Sequence, residues 1–178
     1  TMEVLQGRPT DETGRLEKEI AVYDLLDKLD IPFRRVDHVH ADTMEMCQEI
    51  DQALGQDICK NLFLCNRQKT KFYLLLMPGD KPFKTKDLSA QIGSSRLSFG
   101  GAEDMERLLN LTPGSVTVLG LMYDPDCQVT LLIDQDLYQQ SAFGCHPCIN
   151  TSTVQFSTAD FREKLLPALG HPVTLVQL

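Results

Sequence analysis

Apolar residues at Leu16, Ile20, Tyr23, Leu26 and Leu29 recur at helical spacing, so the chain opens its ordered part with a helix that buries one face. Pro32 ends that helix, and Phe33 to Val39 reads as a short strand. Thr43 can cap a second helix whose Met44, Cys47, Ile50 and Leu54 face inward, with Gly55 as its stop. Two apolar runs follow, Ile58–Cys65 and Phe72–Met77, joined by the polar residues 66–70 in the manner of a hairpin. Pro78-Gly79-Asp80 turns the chain, Thr85–Ile92 predicts a short helix stopped by Gly93, and a further helix runs from Ala102 to Leu111. Val116–Met122 and Val129–Ile133 predict a second strand pair around the turn 123–126, and Val154–Phe156 a short strand. Ser157 and Asp160 form a capping box for a helix ending at Leu169, and Val173–Leu178 is expected as a terminal strand.

Hairpins interspersed with helices, without a regular βαβ rhythm, predict a mixed α/β (α+β) domain around a largely antiparallel, barrel-like sheet. Residues 1–15, with Gly7, Pro9 and Gly14, are expected to be a flexible N-terminal segment, and 16–178 a single domain. No repeat, low-complexity tract or linker interrupts it.

Composition adds two constraints. No apolar run approaches the roughly 18 residues of a membrane span, and the start lacks an export signal, so a cytoplasmic protein with reduced cysteines is expected. The net charge of −8 argues against a nucleic-acid partner until its distribution is read. Between Lys60 and Arg96 eight basic residues face only Asp80 and Asp87, a local net of +6 that leaves −14 for the rest. Such polarity can draw a phosphate backbone to one face; lysines on a solvated sheet edge would give the same count.

The chain has no dinucleotide glycine fingerprint, phosphate-loop lysine or nucleophile elbow. Lys60 interrupts an apolar strand, where it either turns outward or serves as a fixed cation for a phosphate or ester oxygen. The loop Phe143-Gly144-Cys145-His146-Pro147-Cys148-Ile149-Asn150 displays an imidazole beside an amide, suited to orienting water or a ribose hydroxyl. Cys145 and Cys148 lack both the strand–helix flanks of a redox pair and further ligands at zinc spacing, so neither chemistry is expected.

Five pieces in order make the chain recognisable: Leu16–Glu19 to Asp37-His38, Cys59-Lys60-Asn61-Leu62-Phe63-Leu64, Pro113–Thr117, Gly144-Cys145-His146-Pro147 and Asn150–Val154. Over nearly its whole length it resembles the YbaK/prolyl-tRNA synthetase-associated editing family, and within it the free-standing ProX (PrdX-like) Ala-tRNA(Pro) deacylases. The resemblance implies hydrolysis of the ester joining a wrongly attached alanine to tRNA(Pro), without metal or cofactor. It also implies a transient meeting with prolyl-tRNA synthetase. Lys60 would hold the terminal adenosine or its phosphate and polarise the substrate. Asn61 and the loop from Gly144 to Pro147 would shape the pocket, with His146 and Asn150 positioning the amino acid, ribose hydroxyl or water. Arg67, Lys69 and Arg96 would contact the acceptor stem. Within this class Cys-tRNA(Pro) or another small mischarged residue is an alternative substrate; outside it stand a non-catalytic charged-tRNA sensor and a thiol redox protein.

Overall fold

The computed structural model describes residues 2–178. Two sheets pack face to face. One is wholly antiparallel, in the order β1 (Leu5–Gln6), β2 (Arg34–Asp37), β8 (Ser152–Ser157), β7 (Ala142–Cys145). The other is mixed, in the order β5 (Ser98–Phe99), β3 (Lys60–Cys65), β4 (Phe72–Met77), β6 (Val129–Asp134), β9 (Val173–Val176). The expected barrel is therefore two open sheets, and the second sheet is only half antiparallel: β4, β6 and β9 run parallel.

The pattern of β4 explains this layering. Phe72, Leu74 and Leu76 enter the large core between the sheets, while Leu75 and Met77 enter a second core on the outer face. A strand buried on both sides reads as one continuous apolar run, because consecutive side chains alternate between faces. The inner core also takes Val22, Tyr23 and Leu26 of helix α1 (Glu17–Lys28) and Met105, Leu108 and Leu109 of α4 (Ala102–Leu109). Leu88 of α3 (Thr85–Ile92) closes the outer core of the mixed sheet. Ile50 and Leu54 of α2 (Met44–Leu54) pack with Val36 on the outer face of the antiparallel sheet.

Local signals account for the helix ends. Thr43 Oγ1 accepts from the Met46 amide (3.1 Å), and Gly55 stops α2 in the left-handed region at φ 74°. Ser157 accepts from the Asp160 amide at the start of a rod made of α5 (Thr158–Asp160), a π-helical turn Phe161–Leu165 and α6 (Leu166–Leu169). Pro167 lacks an amide to donate inside that rod, which accounts for the wider turn before it.

One expected strand is absent. Val118–Tyr123 is a 3₁₀ helix rather than a strand, capped by Thr117 Oγ1 on the Leu119 amide (3.3 Å). Gly120 packs so closely that a Cβ there would lie 2.6 Å from Leu111 Cδ1. Consequently β6 pairs with β4, far away in sequence, and not with that segment. In the segment expected to be loose, Leu5–Gln6 pair with Arg34 and Arg35, and Arg8 forms ion pairs with Glu12, Asp24 and Asp27. Among the described residues no helix is long and apolar enough to cross a membrane.

Candidate active site

The β7–β8 connection, residues 146–151, carries the imidazole over a cleft between the two sheets. His146 Nδ1 donates to the Ser152 carbonyl (2.8 Å). A carbonyl oxygen only accepts, so the proton sits on Nδ1 and Nε2 keeps a lone pair. Thr158 Oγ1 is the one fully buried side-chain polar atom without a partner among the described residues. His146 Nε2, which no described group engages, therefore reaches solvent through the hollow its ring lines. That hollow, about 240 Å³, is walled by Ile58, Cys59, Asn61, Gly114, Val116, Cys145 and His146. Burial pushes the imidazole pKa below its ordinary value; the Ser152 carbonyl opposes the shift and nearby His38 adds to it. His146 is thus neutral at physiological pH and can accept a proton.

A hydrogen-bonded frame backs this tautomer. Ser152 Oγ donates to Asp37 Oδ1 (2.6 Å), and Asp37 receives Arg15 (3.0 Å) and Arg35. Burial alone would raise the Asp37 pKa, but hydrogen bonds from Arg15, Arg35 and Ser152 outweigh it and hold the carboxyl well below the usual range. His38 lies 6.0 Å from His146 between ring centres. It donates from Nδ1 to the Val39 carbonyl (2.7 Å) and accepts the Thr153 hydroxyl on Nε2 (3.0 Å).

The other expected residues divide. Asn61 Oδ1 accepts the Val118 amide (3.1 Å), while its Nδ2 donates to the Cys59 Sγ (3.3 Å) and, at longer range, to the Cys59 carbonyl (3.4 Å). Sulfur is a weak acceptor, so an oxygen entering the hollow can take over the amide hydrogen now given to Cys59 Sγ. Gly144 lies directly behind the wall, since a Cβ would meet Ile58 Cδ1 at 2.5 Å, and Pro147 is buried at the bend. Asn150 acts as a clip, accepting from the Ala41 amide (3.1 Å) and donating to Asp42 Oδ1 (3.2 Å). It sits against Gly114, whose φ of +91° is one that side-chain-bearing residues rarely adopt.

Lys60 does not enter this hollow. Strand alternation sends it to the opposite face of β3 from Asn61, where it lines an outer hollow of about 630 Å³ with Leu62, Phe83, Lys84, Thr85, Lys86 and Phe99. Its ammonium donates to the Lys81 carbonyl. Lys60 and His146, expected to act on one substrate, therefore line two hollows, back to back across the first residues of β3. Arg67 and Lys69 lie at the far end of that strand, on the hairpin tip, and the Arg67 amide donates to Ser95 Oγ beside Arg96 (3.2 Å). All three side chains are exposed.

Sequence reasoning assigned no role to Asp37, His38, Gly114, Ser152 or Thr153, although all five lie in pieces that carry the family resemblance. The Asn150–Val154 stretch held part of the signal. Cys145 and Cys148 are buried thiols pushed up to about 12 by desolvation, the opposite of a reactive thiolate.

Fold and site together define a class: a small mixed α/β domain of two packed sheets with a neutral histidine over a tight cleft and a cationic outer face. The chain belongs to the aminoacyl-tRNA editing domain family, which matches residues 38–164. It is 31% identical over 163 residues to the prolyl-tRNA editing protein ProX of Acetoanaerobium sticklandii, covering 92% of this chain and 99% of that protein. It is 28% identical over 162 residues to prolyl-tRNA synthetase associated domain-containing protein 1 of Danio rerio, covering 90% and 86%. A solved structure described as a candidate trans-editing enzyme for prolyl tRNA synthetase shares the fold, with TM-score 0.64 at 16% identity over 92% of this chain and 98% of that one.

Proposed function

We propose that this protein hydrolyses the ester between a wrongly attached alanine and the 3′ end of tRNA(Pro), in trans to the synthetase that makes the error. Membership of the editing family and similarity to ProX support the substrate class. The observation that carries the chemistry is His146, neutral, with Nδ1 fixed on Ser152 and Nε2 open to the hollow.

The reaction needs little machinery because an aminoacyl ester is already activated. Water attacks the ester carbonyl as His146 Nε2 takes its proton, and Asn61 Nδ2 donates to the carbonyl oxygen as it gains negative charge. Collapse breaks the bond to the ribose oxygen, which recovers the proton; alanine and free tRNA leave. Ile58, Val116 and Cys145 limit the room for the side chain. A synthetic site for proline can reject the smaller alanine only weakly, about 1–3 kcal/mol per missing methylene, whereas a small hydrolytic hollow can exclude the larger proline by steric clash. Lys60 serves the phosphate or ribose from the outer face of β3, and Asn150 holds the loops rather than the substrate. Arg67, Lys69 and Arg96 steer the acceptor stem. The encounter with prolyl-tRNA synthetase is transient.

Release of alanine, cysteine, serine and proline from purified tRNA(Pro) tests this directly. Alanine should leave fastest and proline not at all; faster cysteine release would move the substrate, and binding without release of any residue would replace the hydrolase with a sensor.

A further inference from the structure

The outer hollow has features that ester cleavage at His146 does not use. Phe99 is 62% exposed, and its ring meets Phe83 edge to face at 6.1 Å. Lys84 and Lys86 are exposed on the same rim. Among the described residues neither they nor Lys60 takes part in an ion pair, whereas Lys81 is held by Asp134 and Asp136. The acidic residues nearest in sequence, Asp80 and Asp87, are exposed and do not line the hollow. An aromatic face left in water beside unpaired ammonium groups matches a ligand with flat bases and a charged backbone. The strand edge is also open here. β5 pairs only with Leu64 and Cys65, so Lys60–Leu62 carry no strand on that side, and a nucleotide chain can cross the edge from the outer hollow to the inner one.

We propose that this hollow binds the unpaired nucleotides preceding the terminal adenosine of the tRNA acceptor end, with a base stacked on Phe99 and phosphates on Lys84 and Lys86. The inference rests on the editing reading and adds a second subsite to it, one that grips nucleotides and not the amino acid.

Two substrates separate the subsites: Ala-tRNA(Pro), which reaches both hollows, and 3′-O-alanyl-adenosine, which reaches only the inner one. Phe99→Ala should lower kcat/KM for Ala-tRNA(Pro) by about 5- to 150-fold, the loss of one base–aromatic stack, and leave alanyl-adenosine hydrolysis unchanged. Lys84→Ala/Lys86→Ala should reduce the salt slope of tRNA binding by about two. Wild-type behaviour of both variants on Ala-tRNA(Pro), or an equal loss on both substrates, overturns the subsite. If the wild type cleaves neither substrate, the editing reading fails on its own, and a fluorescein-labelled CCA trinucleotide still decides the subsite by anisotropy. Weaker binding by Phe99→Ala than by wild type supports it; equal binding, or none by either, overturns it.

Discussion

The two faces at the start of β3 are built on opposite principles. On the inner face, Asn61 and His146 have their hydrogen-bonding groups fixed by backbone partners, and the Cys59 and Cys145 thiols beside them are buried. On the outer face, Lys60, Lys84 and Lys86 surround an exposed phenylalanine with no carboxylate among the lining residues. A single strand therefore separates a small hollow without charged lining residues from a larger cationic one. The lesson is a division of labour. Proton transfer needs a group whose tautomer and position are set beforehand, whereas holding a polyanion needs charge and a stacking surface that tolerate several geometries.

The comparison breaks first at His146. His146→Ala should reduce single-turnover release of alanine by about 10²- to 10⁴-fold, the usual worth of a positioned general base, with the melting temperature nearly unchanged. Undiminished turnover would remove the inner hollow from the chemistry. Because burial lowers the His146 pKa, the base form persists below the ordinary histidine value of about 6.5. The acid limb of kcat/KM should fall with a midpoint under that value, and a midpoint at or above it would contradict the buried neutral imidazole.

The frame behind the histidine comes next. Asp37→Ala leaves the guanidinium of Arg35, only 5% exposed, with the Gly7 carbonyl but no carboxylate, and should cost about 2–3 kcal/mol in urea unfolding, less than a fully buried pair because Asp37 is 35% exposed. The sign with pH follows from the lowered carboxyl pKa. Its contribution is complete above the unfolded value near 4 and disappears as pH falls through the lower folded value. Stability of the variant should accordingly be less sensitive to acid than that of the wild type.

A smaller effect is expected at Gly114. Alanine there must adopt φ +91° with its Cβ 3.0 Å from Asn150 Nδ2. It should destabilise by about 1–3 kcal/mol and raise KM through displacement of the Asn150 clip. Smallest is Arg96→Ala at the far end of β3, which should weaken tRNA binding slightly and reduce the salt slope by about one. An unchanged slope would place Arg96 outside the footprint and confine the cationic face to the outer hollow.

Much of the architecture was legible because its signals are local. The Thr43 cap, the Gly55 stop, the β3–β4 hairpin and the Ser157 cap each lie within a few residues of the groups they satisfy. The family resemblance was legible for a related reason: the Cys59–Leu64 and Gly144–Pro147 pieces survive as short contiguous runs, and the editing-domain match spans both. The segment Val118–Tyr123 went the other way. Its apolar residues suit a strand, but Leu111 crowds Gly120 and Asn61, from a distant part of the chain, takes the Val118 amide. Strand β7 was hidden because Phe143 and Cys145 pair with Phe156 and Val154 across the active-site bend.

The sequence by itself determined which residues could do chemistry: a loop histidine, an adjacent amide, a lysine in an apolar strand and a basic stretch from Lys60 to Arg96. Tertiary structure alone decided which of them meet. Alternation along β3 parts Lys60 from Asn61, and the return of β8 beside β2 brings Ser152 onto Asp37 and fixes the proton of His146. The reason is physical: a side chain's identity is written at one position, but its direction and hydrogen-bond partners depend on strand register and on residues more than a hundred positions away.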